Sequence, residues 1–101
     1  MVVSINIKTR LCEIMELTLK IENKAGLHAR PAALFAKSAS AFTSTIMLVK
    51  GEKSVNAKSI IGIMGLGVKQ GDNLLLKVEG PDAEEAATAL EELVANNFGE
   101  G

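Results

Sequence analysis

The stretch Gly26-Leu27-His28-Ala29-Arg30-Pro31 lies between two patterns of different period and contains the one histidine of this 101-residue chain. Before it, residues 16–21 alternate between polar and apolar types, which is typical of a strand. After it, the alanine-rich residues 32–37 are typical of a helix. Proline is well tolerated in the first turn of a helix, where its missing N–H costs nothing, so we predict a helix over about 30–40.

This arrangement places His28 just before a helix N-terminus. The N–H groups of a first helical turn and the positive end of the helix dipole favour an anion. Arg30 adds a fixed positive charge, and its fork of donors matches phosphate. Since neutral imidazole is also a nucleophile, the pattern indicates a histidine that carries phosphate. The alternative is a lone histidine in a surface turn that makes a structural hydrogen bond.

The composition argues against several classes of protein. A net charge of −1 gives no electrostatic case for nucleic acid. No apolar run approaches the ~18 residues of a membrane span. The single cysteine, Cys12, cannot form an internal disulfide, and one cysteine with one histidine makes a poor zinc site. We therefore expect a cytoplasmic monomer without metal or cofactor that works through its surface.

Residues 1–14 differ from the rest of the chain. Residues 1–7 have some β character, but the polar run Lys8-Thr9-Arg10 follows it. A mis-assigned start, an extra edge strand and a disordered tail all fit this composition. We expect a disordered extension over residues 1–14 and a folded domain over residues 15–101.

The pattern from residue 15 onward predicts four strands and three helices in the order βαββαβα. The strands are expected at about 15–22, 45–50, 52–56 and 73–79, and the other two helices at about 59–65 and 81–97. Strict alternation within the strands indicates a sheet with one wet face. An α+β fold, with an antiparallel sheet and helices on one face, satisfies every apolar stripe.

The helix expected at 59–65 is apolar on almost every side. A helix over a single-layer sheet cannot bury all of its sides, although simple burial remains the alternative for Ile60 and Ile63. Ser59 is a suitable residue to cap this helix. We predict an apolar docking patch around His28. The predicted docking patch comprises Leu27, Ala29, Ile60, Ile61 and Met64.

Residues 26–32 resemble the active-site motif of the histidine-containing phosphocarrier family, HPr, of the bacterial phosphoenolpyruvate-dependent sugar phosphotransferase system. Residues 55–64 are similar to the regulatory-serine segment of the same family. The resemblance covers residue 15 to the end without a gap between the two motifs. It implies an open-faced β-sandwich, in which a four-stranded antiparallel sheet carries three helices on one face.

The resemblance implies a carrier rather than an enzyme. Enzyme I, charged by phosphoenolpyruvate, would place a phosphoryl group on Nδ1 of His28, with Arg30 stabilising the phosphate. The carrier would then pass the group to a histidine of an enzyme IIA domain. Ser59 matches the serine that a kinase/phosphorylase modifies in some bacteria, and the modified form engages a catabolite-repression transcription factor.

Some features depart from the family pattern and leave alternatives open. Gly65 stands where many relatives have serine, and the extension 1–14 is unusual. Residues 23–26 and 97–100 are similar to the nitrogen-related branch of the family, whereas Pro31 favours the sugar branch. A purely regulatory binding module controlled at Ser59 is the alternative of a different class. Comparable modules lack the active histidine, so His28 counts against that alternative as the sole function.

Overall fold

The computed structural model of the chain describes residues 4–8, 13–22, 24 and 26–99. Five strands lie within these ranges: β1 (Ser4–Lys8), β2 (Glu13–Lys20), β3 (Thr45–Lys50), β4 (Lys53–Asn56) and β5 (Asn73–Gly80). The helices there are α1 (Ala29–Ser40), α2 (Ile60–Gly65) and α3 (Ala83–Ala95), and a 3-10 turn follows at Asn97–Gly99.

The strands form one antiparallel sheet in the order β1-β2-β5-β3-β4. The central strand β5 pairs with β2 from Asn73, opposite Lys20, to Gly80, opposite Glu13. The strands β2 to β5 are the four predicted from the sequence, and the three helices cover one face of them. The predicted α+β fold is therefore confirmed.

The core lies between the helices and the inner face of the sheet. Period-two alternation directs Leu17 and Leu76, which are opposite each other on β2 and β5, into this layer. Phe35 of α1 and Leu90 of α3 enter it from the other side and are fully buried. Burial of each such side chain stabilises the fold by about 1.5–3 kcal/mol. The opposite face of the sheet is more polar and more exposed, as the alternation predicts.

Strand β1 differs from the sequence-based expectation. Residues 4–8 pair antiparallel with β2, from Ser4 opposite Leu17 to Lys8 opposite Glu13. The edge of β2 presents a row of N–H and C=O groups, and a preceding segment with β character can satisfy them. The prediction of disorder is therefore wrong for residues 4–8 and for the start of β2. Residues 1–3 and 9–12, which it also covered, lie outside the described residues.

The start of α3 is bound to the segment that leads into β3. Asp82, the N-cap residue of α3, accepts hydrogen bonds from the N–H of Thr43 at 2.8 Å and of Ser44 at 2.9 Å. The hydroxyl of the buried Ser44 also donates to Asp82 Oδ1. The Ser44 hydroxyl and these N–H groups favour the carboxylate, so they lower the pKa of Asp82 from 3.8 to about 2.

Candidate functional site

His28 is the N-cap residue of α1, as its position before Pro31 predicts. Its backbone is extended, with φ −82° and ψ −168°, and its carbonyl accepts the Ala32 N–H at 3.0 Å. The His28 side chain is exposed and makes no capping hydrogen bond to the helix. Arg30 is also exposed in the first turn, whereas Pro31 is buried. The first turn of α1 therefore places an imidazole and a guanidinium group at the surface beside a helix N-terminus.

The segment that leads to His28 rests against the chain that follows α2. The Leu27 N–H donates to the Val68 carbonyl at 3.2 Å. Gly26 has φ +65°, and a Cβ at this position would overlap the Val68 carbonyl oxygen. Glycine is thus required at residue 26 both by its backbone angle and by the close approach. The contact places His28 at the surface directly after a buried residue.

The apolar residues of α2 divide between the core and the surface. Ile63 is fully buried, but Ile61 is 84% exposed, Met64 45% and Ile60 43%. A helix of this composition cannot bury every side against one sheet, which was the reason for predicting an exposed patch. The exposure of these three side chains agrees with that prediction.

Leu27 does not belong to this surface, although the sequence analysis placed it there. Its side chain is only 3% exposed and lies in the hydrophobic core. Gly26 lies against the Val68 carbonyl and the Leu27 N–H bonds to it, so Leu27 packs inward while His28 faces solvent. The predicted docking patch is therefore reduced to its exposed members, Ala29, Ile60, Ile61 and Met64.

Ser59 is the N-cap residue of α2, as predicted. Its Oγ accepts the Gly62 N–H at 3.1 Å, and the residue is exposed. The preceding residue, Lys58, donates from Nζ to the Phe42 carbonyl at 2.8 Å. This bond connects the start of α2 to the segment after α1. Ser59 is therefore exposed at the start of α2, next to a residue that is hydrogen-bonded to the segment after α1.

Lys50 forms a second attachment of α2, and no local pattern in the sequence indicates it. Its Nζ lies 3.1 Å from the Gly67 carbonyl oxygen, beyond the end of α2, and 3.2 Å from Asp72 Oδ2. The Lys69 N–H, which donates to Asp72 at 2.9 Å, and then Lys50 lower the pKa of this carboxyl. Because Lys50 and its partners are more than 15 residues apart, the contact depends on the tertiary fold.

Neither a metal-binding cluster nor a membrane-spanning helix occurs in the described part of the chain. No cluster there has three or more histidine, cysteine, aspartate or glutamate residues arranged to hold a metal ion. None of the helices in the described ranges has the length and apolar character needed to cross a membrane.

Comparison with known proteins bears on the histidine motif directly. A family model described as "PTS HPr component phosphorylation site" matches residues 15–96, which include both His28 and Ser59. The chain belongs to the HPr family. The resemblance seen in the sequence is thereby confirmed, and HPr proteins are phosphocarriers of the phosphotransferase system.

Individual HPr relatives match over most of the chain. The phosphocarrier protein HPr of Treponema pallidum (strain Nichols) is 51% identical over 83 residues, covering 82% of this chain and 94% of the relative. The HPr-like protein Crh of Halalkalibacterium halodurans is 47% identical over 77 residues, covering 76% and 92%. The crystal structure of HPr-C-His from Thermoanaerobacter tengcongensis superposes with a TM-score of 0.82 at 57% identity, covering 85% and 97%.

Proposed function

We propose that this protein accepts a phosphoryl group on Nδ1 of His28 from phosphoenolpyruvate-charged enzyme I and passes it to a histidine of an enzyme IIA domain. The observation that carries the proposal is the exposed His28 at the N-terminus of the twelve-residue helix α1, in a chain of the HPr family. The protein would act in the cytoplasm as a carrier in sugar uptake, without turnover of its own.

The transfer chemistry fits the groups at this site. The Nδ1 lone pair of His28 would attack the phosphorus of phosphorylated enzyme I, and the bond from that phosphorus to enzyme I would break as the enzyme I side chain leaves. The same exchange, with His28 as the leaving group, would load enzyme IIA. Arg30 and the N-terminal turn of α1 would meet the phosphoryl charge. Contacts that are open to solvent suit a carrier, because tight binding of the phosphorylated form would oppose onward transfer.

The docking patch supports a role that depends on contact with other proteins. Ala29 precedes Arg30 at the start of α1, while Ile60, Ile61 and Met64 project from α2, which packs beside α1. Exposed apolar side chains grouped in this way are typical of the centre of a protein–protein interface. Enzyme I and enzyme IIA domains would use this surface in turn.

A regulatory binding module is the second candidate, and a relative supports it. Crh of Bacillus subtilis, whose solution structure matches this chain at 44% identity with a TM-score of 0.59, is described as "the Bacillus subtilis Catabolite Repression HPr". Phosphorylation of the exposed Ser59 by a serine kinase/phosphorylase would then favour docking on a catabolite-repression transcription factor. Both activities can reside in one chain, since Ser59 and His28 are on different helices.

The deciding experiment mixes the purified protein with enzyme I and phosphoenolpyruvate and measures the intact mass. We expect one added acid-labile phosphoryl group, which is absent in His28→Ala. Circular dichroism of the variant checks that it is folded. Enzymes I of the sugar and the nitrogen-related branches are compared, because transfer from the second alone would assign the protein to that branch. Absence of transfer from both would favour the binding module.

A further inference from the structure

The loop over residues 66–72 joins α2 to β5. It is hydrogen-bonded to the segment that leads to His28. Four hydrogen bonds connect the two stretches of chain. They run from Ile21 N to Asp72 O at 2.9 Å, from Gly71 N to Ile21 O at 2.6 Å, from Gln70 Nε2 to Glu22 O at 3.1 Å and from Leu27 N to Val68 O at 3.2 Å. The last of these involves Leu27, the residue before His28, so it connects the loop directly to the N-cap of α1.

Lys50 holds this loop at both of its ends. The Nζ atom lies 3.4 Å from the Leu66 carbonyl oxygen and 3.1 Å from that of Gly67, where the loop leaves α2. It also lies 3.2 Å from the Asp72 carboxylate, where the loop enters β5. One ammonium group thus joins two points that are five residues apart along the chain.

The loop has a physical need for such a group. Helix α2 has only six residues, so its last carbonyls have few partners within the helix. A cation near a helix C-terminus stabilises those carbonyls and complements the dipole. Because Lys50 and Asp72 are each about one-third exposed, at 33% for both side chains, their ion pair adds little to overall stability. Its main effect is on the geometry of the loop.

We propose that Lys50 is a positioning residue for phosphoryl transfer, acting on His28 through the loop 66–72 and the Leu27–Val68 hydrogen bond. This inference rests on the proposed phosphocarrier function. The inference assigns different roles to two lysines near the site. Lys58 holds the start of α2 and its exposed side chains through the Phe42 carbonyl, whereas Lys50 holds the chain that supports His28.

The test compares Lys50→Met with Lys50→Arg, which keeps a cation, and with Lys53→Met. Lys53 pairs with Lys50 in the β3–β4 hairpin and is exposed, so its replacement removes the same charge from the same hairpin. Two measurements are made on each protein. One is amide hydrogen exchange at Leu27, and the other is kcat and KM of enzyme I with the protein as phosphoryl acceptor.

For Lys50→Met we expect exchange at Leu27 to rise and kcat to fall, each by about 3- to 10-fold, with KM within about twofold of wild type. Lys50→Arg and Lys53→Met should both resemble wild type, and all melting temperatures should agree closely. Unchanged exchange and kcat in Lys50→Met would overturn the inference, as would a rise in KM alone. Failure of the proposed function would be recognised separately, because the wild-type protein would then accept no phosphoryl group.

Discussion

His28 owes its place at the surface to the residues on either side of it. Gly26 allows the chain to approach the Val68 carbonyl, and Leu27 anchors the segment in the core. Pro31 is buried on the other side and fixes the first turn of α1. His28 is thus exposed between two buried anchors, Leu27 and Pro31. This placement suits the proposed role of His28 as a phosphoryl carrier.

Arg30 is expected to contribute to transfer rather than to stability. We predict that Arg30→Ala slows phosphoryl transfer from enzyme I about tenfold, which corresponds to the loss of about 1.4 kcal/mol of charge-assisted contact. Since Arg30 is exposed, the melting temperature of Arg30→Ala should be nearly the same as that of wild type. Arg30→Lys keeps the charge but loses the donor fork. Its transfer rate should lie between those of Arg30→Ala and wild type. Equal transfer rates in Arg30→Ala and wild type would count against the role.

Two substitutions of Ser59 separate its effect on stability from its effect on docking. Ser59→Ala removes the cap of α2 and should lower stability by about 0.5–2 kcal/mol, whereas Ser59→Asp keeps an acceptor for the helix N–H groups. We predict that the Asp variant nevertheless transfers phosphate at least tenfold more slowly, because its charge is beside the docking patch and is costly to desolvate in a complex. Rapid-quench transfer assays measure the rates. Equal transfer rates in Ser59→Asp and Ser59→Ala would mean that Ser59 serves only as the cap of α2.

At the scale of the elements, α2 and α3 are each attached to distant parts of the chain by polar contacts. The short α2 depends on Lys58 at its start and Lys50 at its end. The longer α3 begins at Asp82, whose carboxylate binds the segment before β3. These polar contacts determine how the helices are attached, while the apolar stripes determine which faces are buried.

The Asp82 cluster should give the protein a measurable acid sensitivity. The pKa of Asp82 is lower in the folded state, about 2, than its usual value of 3.8, so its contribution is fully present above about pH 4 and is lost as the pH falls towards 2. We predict that Asp82→Asn lowers the free energy of unfolding at pH 7 by about 1–3 kcal/mol, since its NH₂ cannot accept from the Ser44 or Thr43 donors. The difference from wild type should shrink between pH 4 and pH 2.

Urea unfolding followed by circular dichroism measures this effect. Glu84→Gln is the matched control, because it removes one carboxylate from the exposed side of the same first helical turn. Its stability should stay within about 0.5 kcal/mol of wild type. A constant difference between Asp82→Asn and wild type across this pH range would contradict the assigned role of the carboxylate.

At the scale of the whole molecule, the sheet is wider than the family match requires. The family model begins at residue 15, inside β2, and the helices pack on the four strands from β2 to β5. Strand β1 extends the edge beyond β2. The family match thus begins at residue 15, whereas strand β2 already begins at Glu13.

Removal of residues 1–12 tests whether the strands β2 to β5 and the three helices fold and function without β1. We predict that the shortened protein folds and accepts phosphate at the wild-type rate, with a change in the free energy of unfolding below about 2 kcal/mol. The net gain from edge-strand hydrogen bonds, about 0.5–1.5 kcal/mol each, is largely offset by the entropy of ordering about 1–2 kcal/mol per residue. Urea unfolding and the transfer assay measure both quantities. Failure to fold would make the extension part of the domain.

The sequence by itself determined the features that depend on local periodicity and on motifs. Alternation in residues 16–21 predicted β2, and the proline at residue 31 predicted the start of α1 with His28 before it. The spacing of apolar residues in 59–65 likewise predicted that some of them would be exposed. These predictions succeeded because each depends on backbone preferences and side-chain directions within a few residues.

The tertiary structure alone decided which distant residues meet. The sequence left an edge strand open somewhere in residues 1–14, but the pairing of residues 4–8 depends on the neighbouring edge of β2. It placed Leu27 on the surface, although the approach of Gly26 to Val68 turns this side chain into the core. The contacts of Lys50 with Gly67 and Asp72 had no local signal at all. A hydrogen bond between remote positions forms only when packing brings them together, and no local period records that geometry.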